Sequence, residues 1–238
     1  MGMEETMGRV RSLLVGAVLV LALGGCGSGG SATGTTQEGA DVREKLAAGL
    51  AEVSPAKAGL VEAAETTVTP VEATWLHGWQ VLDVESRTLP HPQRFYAALS
   101  DDGTALVLSG SQDSFDQMMS DAKVVVDDVA VATDVGILYL DVTRAFDKYS
   151  YRIDALSEVQ WRPNLDSAQE QQRAELETQY AALVQPPAAK PSATGWTVTA
   201  WTVDDRTLVR HVLSIATDGA VRDSPEVVAT DLPVPASL

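Results

Sequence analysis

DVAVATDVGILYLDVTRAF, residues 128–146, can be read in two ways, and the fold class turns on the choice. Its Val, Ile, Tyr and Thr content favours an extended strand. Against that, Val131, Val135, Leu138, Val142 and Phe146 recur at intervals of three and four, the spacing of one helix face. The ends agree with the helix, because Asp128 is a suitable N-cap and Arg144 falls at the negative end of the dipole. The spacing therefore predicts a helix over 129–145, set among strands in an α+β chain.

Working outward, the upstream segment Gln112–Met119 reads as a short helix capped by Ser114 or Asp113, with Phe115, Met118 and Met119 inward. Lys123–Val126 is expected to be a brief extended link. Before it the period is two: Trp75–Val84, Arg94–Leu99 and Ala105–Leu108 read as strands, with Asp102-Gly103 as a hairpin turn and Pro90-His91-Pro92 as a break. Earlier still, Val42, Leu46, Leu50 and Val53 mark a helix over Asp41–Val53, and a second helix runs from the Ser54-Pro55 break to about Ala64. Downstream, Tyr149–Trp161 reads as a strand stopped by Pro163. Ser167-Ala168-Gln169-Glu170 has the form of a capping box, opening a helix with Leu176, Tyr180 and Leu183 inward. Trp196–Val203, Leu208–Ala216 and Val221–Ala229 close the chain as strands, turned by Asp204-Asp205 and Asp218-Gly219.

Two stretches resemble each other. Gly78-Trp79-Gln80-Val81 matches Gly195-Trp196-Thr197-Val198, and Arg94 precedes Gly103 by the same interval as Arg210 precedes Gly219. Two related units of helix followed by antiparallel sheet are expected, over 41–110 and 111–232, with 233–238 as a tail. Trp79 and Trp196 are then equivalent core residues, each against the helix before it. The element order from Gln112 onward is similar to that of the cystatin-like or NTF2-like fold, which implies helices packed on a curved antiparallel sheet.

The start of the chain speaks of location. Arg9 and Arg11 precede an apolar run from Leu13 to Leu23, followed by the small residues Gly24 and Gly25 and by Cys26, the only cysteine. The run is too short for a permanent membrane helix and reads as a signal peptide over 1–25. Leu23-Gly24-Gly25-Cys26 resembles the lipobox of bacterial lipoproteins. That resemblance implies cleavage before Cys26, lipidation of its thiol and residence on the outer face of the cytoplasmic membrane; two acyl chains suffice for stable anchoring. Residues 26–40, rich in Gly, Ser and Thr, read as a flexible linker. Glu4 and Glu5 sit poorly in a basic leader, so Met7 is an alternative start. The 12 Arg against 5 Lys fit a high-GC Gram-positive source.

A net charge of −16 repels phosphate backbones, so nucleic acid is not an expected partner; an envelope protein or wall-associated ligand is. His77, His91 and His211 are scattered and lack a second Cys, Ser109-Gly110-Ser111 is not a nucleophile elbow, and no Gly-rich phosphate loop follows a strand. No metal or cofactor is expected, and Asp101-Asp102, Asp127-Asp128 and Asp204-Asp205 read as turns and caps. The expectation is a non-catalytic binding or interaction module of the envelope. The alternatives are an NTF2-like carrier or enzyme with a cone pocket holding His211, Tyr180 or a buried carboxylate, with Trp196 a further pocket candidate, and a structural envelope component.

Overall fold

The helix at 129–143 lies between two antiparallel sheets, and that placement explains its composition. A computed structural model describes residues 37–87 and 92–235. Leu23, Gly24, Gly25 and Cys26, most of the linker and the Pro90-His91 break lie outside the described residues. In chain order the elements are α1 (Gln37–Val53), α2 (Pro55–Glu62), β1 (Thr66–Val71), β2 (Trp79–Ser86), β3 (Gln93–Ser100), β4 (Ala105–Val107), α3 (Gln112–Asp121), α4 (Val129–Thr143), β5 (Ser150–Ile153), α5 (Ser167–Tyr180), β6 (Ala188–Ser192), β7 (Gly195–Asp204), β8 (Thr207–Ala216) and β9 (Val221–Ala229). The class is α+β, and the described residues form one compact unit.

The first sheet has the order β1-β2-β3-β4. In the second, β7 and β8 are central, β9 lies beyond β8, and β5 and β6 share the far edge of β7, opposite Trp201–Asp204 and Gly195–Thr199 respectively. Alternation divides the strand side chains between three apolar clusters. On one face of the first sheet, Leu82, Val84, Phe95, Ala97 and Leu99 meet Leu46, Leu50 and Val61 of α1 and α2. On its other face, Val81, Tyr96 and Ala98 join Phe115, Met118 and Met119 of α3, Val135, Leu138 and Val142 of α4, and Val198, Ala200 and Leu213 of the second sheet. The outer face of the second sheet carries Trp201, Val203 and Leu208, covered by Leu176 of α5 and by Leu232 and Val234 near the end of the chain. The layers therefore run α1/α2, sheet, α3/α4, sheet, α5, and the two halves share the central cluster.

A helix buried from both sides must be apolar nearly all round, so α4 could carry strand-forming residues without losing its helical spacing. Asp128 starts it, its Oδ1 accepting from the amides of Ala130 (2.7 Å) and Val131 (3.0 Å). Gly136 sets the distance to the second sheet: a Cβ there would sit 3.2 Å from Val198 Cγ1 and 3.3 Å from Leu213 Cδ1. Gly49 does the same for α1 against the β3–β4 hairpin, where a Cβ would fall 2.5 Å from the Gly103 carbonyl oxygen.

Several local expectations are corrected. Ser111, not Ser114 or Asp113, caps α3, its Oγ accepting from the Ser114 amide at 3.1 Å. Asp166 and Gln169 form the capping box of α5, one residue ahead of the Ser167–Glu170 reading; Gln169 N donates to Asp166 Oδ1 and Asp166 N to Gln169 Oε1. The strand expected over Tyr149–Trp161 ends at Ile153, and a 3-10 turn follows at Leu156–Glu158. Leu183, read as inward, is exposed, as is Val53, the last residue of the apolar spacing that marks α1. β1 and β6 were not anticipated, and α1 begins at Gln37, inside the expected linker.

The Gly-Trp repeat has a structural counterpart. Each Trp opens the first strand of a three-strand meander, β2-β3-β4 or β7-β8-β9, whose second hairpin turns at Gly103 or Gly219. Its packing differs from expectation, however. Trp79 and Trp196 are half-buried and pack on the central cluster, on the opposite faces of their sheets from α1 and α5. Trp201, with the opposite alternation, is the residue that meets α5, its ring 6.2 Å from that of Tyr180.

Candidate functional site

Three adjacent strands place three polar side chains in a row on the face turned towards α4. Hairpin register puts Ala200 opposite His211 and Thr202 opposite Val209, so Thr202 is the diagonal same-face neighbour of His211. On the other side Asp223 lies opposite Leu213, again diagonal to His211. The contacts follow: His211 Nε2 is 2.9 Å from Thr202 Oγ1, and His211 Nδ1 is 2.7 Å from Asp223 Oδ2. When the ring is neutral, the carboxylate, which can only accept, selects the tautomer that carries its proton on Nδ1. Nε2 is then left as the acceptor for the Thr202 hydroxyl. Thr202 and His211 are 7% and 8% exposed, which places them in the floor of a cleft and not on an open surface.

That cleft, about 280 Å³, runs between the C-terminal half of α4 and the start of β5. Tyr139, Thr143, Arg144 and Lys148 line its helix side, and Ser150, Thr202, Asp204, His211 and Asp223 its sheet side. Each of the two acids there accepts through one oxygen: Ser150 Oγ donates to Asp204 Oδ1 at 2.6 Å, and Asp223 meets His211 through Oδ2 while its buried Oδ1 has no partner. Arg144 donates from Nη1 to the Ser150 carbonyl at 2.7 Å and lies over the Phe146 ring at 4.7 Å, which sets its guanidinium at the wall of the cleft. Burial, together with the charges of Asp223 and Asp116, pushes the Tyr139 phenol up to about 12. It therefore stays a neutral donor, and its hydroxyl donates to Gln112 Oε1 at 3.1 Å.

A second groove, about 360 Å³, lies between the β1–β2 connection and the other side of α4. Trp75 and Tyr96 face Glu72, Asp134 and Asp141 there, and burial raises the Asp141 carboxyl despite Arg152 at 3.8 Å. It is the larger of the two, but no base meets a hydroxyl in its lining, so the His211 cleft is the stronger chemical site.

The residues singled out from the sequence do not converge. His211 lies in the cleft, whereas Tyr180 lies in the cluster beneath α5 on the other face, its hydroxyl donating to the Val228 carbonyl at 3.0 Å. Trp196 is at the far end of β7, where Nε1 donates to the Val126 carbonyl at 3.1 Å. Thr202 and Asp223 had no individual signal. Register counted outward from the two turns would have placed both beside His211. Among the described residues no group of three His, Cys, Asp or Glu is arranged to hold a metal ion, and no helix is long and apolar enough to cross a membrane. No family model matches the chain, and neither the curated proteins nor the solved structures contain a significant match to it.

Proposed function

We propose that this chain is a lipid-anchored envelope protein that binds a small acyl ligand, a carboxylate or its ester, in the His211 cleft. The observation that carries the reading is the convergence on one cavity of an imidazole, the hydroxyls of Thr143, Ser150 and Thr202, and the cations Arg144 and Lys148. Thr143, Ser150 and Thr202 already donate to the Tyr139 carbonyl, Asp204 and His211, so the donors left for the oxygens of an acyl group are cationic, the unpartnered Nε of Arg144 and the ammonium of Lys148. The lipobox resemblance at Leu23-Gly24-Gly25-Cys26 supports the anchored location, with the membrane as the first partner and an envelope protein or wall-associated molecule as the second. A helix lying on an antiparallel sheet with a cleft between them supports kinship with the NTF2-like fold for 111–232. The four-stranded sheet packed on the other side of α4 is an addition to that plan.

Thermal unfolding of the full chain in detergent, with acetate, propionate, butyrate and their methyl esters added singly, tests the reading. At least one should raise Tm in wild type and not in His211→Gln, since a ligand at a hundred times its Kd stabilises by about 2.7 kcal/mol. No stabilisation by any of them would overturn it.

A further inference from the structure

Binding an acyl group does not require an unbroken line of hydrogen bonds from a carboxylate through an imidazole to a hydroxyl on the cavity floor, yet the cleft contains one. We propose that the cleft hydrolyses small carboxylic esters, with Thr202 as nucleophile, His211 as general base and Asp223 as the group that holds the imidazole. This rests on the acyl-ligand reading of the cleft and extends it to a reaction.

Both links, 2.9 Å and 2.7 Å, fall within the reach that proton transfer between a nucleophile, its base and the base's orienting group demands. The same arrangement of hydroxyl, imidazole and carboxylate, recognised by geometry and not by order in the chain, serves acyl transfer on unrelated folds. Here the order is Thr202, His211, Asp223, one residue from each of β7, β8 and β9. With the Nδ1 proton held by Asp223, Nε2 accepts the Thr202 proton as Oγ1 attacks the ester carbonyl carbon. The new C–O bond forms as the carbonyl π pair moves to oxygen. Thr202 lies within a paired strand, so the positive charge available to that oxyanion comes from the side chains of Arg144 and Lys148. Collapse breaks the bond to the alcohol, which leaves with the proton from Nε2. Water then attacks the acyl-Thr202 ester and gives a proton to Nε2. The departing Thr202 oxygen recovers that proton, and the acid is released. Atoms and electrons balance with ester and water as the only reactants.

The test uses the full chain in detergent, a fluorophosphonate probe and p-nitrophenyl acetate. Peptide mass spectrometry should place the phosphonyl adduct on Thr202. Release of p-nitrophenol should fall about a hundredfold or more in Thr202→Val and His211→Gln, and persist in Thr202→Ser. Circular dichroism checks that each variant folds; if Thr202→Val does not, the position of the wild-type adduct decides. No adduct, an adduct elsewhere, or undiminished turnover in a folded Thr202→Val overturns the hydrolysis. If acetate or another of the six ligands still raises Tm in that event, the binding reading stands without the reaction. If none does, both fall.

Discussion

Replacing Trp201 with Ala should destabilise the protein far more than replacing Trp196, although the sequence presents Trp196 as the repeated and therefore structural residue. Trp201 is 3% exposed and sits among Ile153, Leu176, Val203 and Leu208, with the Tyr180 ring at 6.2 Å. Removing a fully buried ring costs about 3–5 kcal/mol, through lost transfer energy and the cavity left behind. For a chain of this size about 2–4 °C of Tm follows each kcal/mol, so a fall of roughly 6–20 °C is expected. Trp196 is half-buried and keeps one hydrogen bond, to the Val126 carbonyl. Its loss should cost about half as much, roughly 1.5–2.5 kcal/mol on the same scale. Differential scanning calorimetry of the two variants side by side is the assay. A Trp201→Ala shift under about 3 °C, or a larger shift for Trp196→Ala, would refute the assignment of the two faces of β7.

Other outcomes follow from single positions. Gly49→Ala should lower Tm by several degrees, because the new methyl meets the Gly103 carbonyl, backbone that cannot swing aside; unchanged unfolding would show that α1 does not approach the hairpin. The Asp141 carboxyl is raised by burial, so the folded state binds its proton more tightly than the unfolded chain, and stability declines as pH rises from about 4 through that raised value. Asp141→Asn should accordingly match wild type near pH 3 and be at least as stable at pH 7, as Tm at the two pH values would reveal. A Cys26→Ser change should free the protein from the membrane fraction or block its processing, and mass spectrometry of the mature N-terminal peptide should find an acylated Cys26 in wild type.

The helical period at 128–146 was legible because burial from two sides still requires the interval of three and four, whatever the β propensity of the residues. The last three strands were legible for the opposite reason: period two, between turns at Asp204-Asp205 and Asp218-Gly219, leaves little choice. β1 and β6 escaped because each is an edge strand holding a proline, Pro70 or Pro191, and neither shows an apolar alternation. The shift of the capping box to Asp166 reflects two overlapping candidates one residue apart, between which only backbone geometry chooses. At the site, a histidine inside a strand attracted notice by type. A threonine in a strand and an aspartate at its start are too common to do so, and only cross-strand register joins them. Tyr180 and Trp196 were grouped with His211 as aromatic or titratable residues of nearby elements, but the sheet lies between Tyr180 and the cleft, and Trp196 stands at the far end of its strand.

The His211 cleft itself is tested most directly by the ring nitrogens of His211, observed in a long-range proton–nitrogen NMR spectrum at neutral pH while acetate is added. A proton on Nδ1, held by Asp223, and an unprotonated Nε2 whose resonance moves on titration and saturates are the predicted result. A ring protonated at Nε2, or one indifferent to acetate, propionate and butyrate alike, would contradict it.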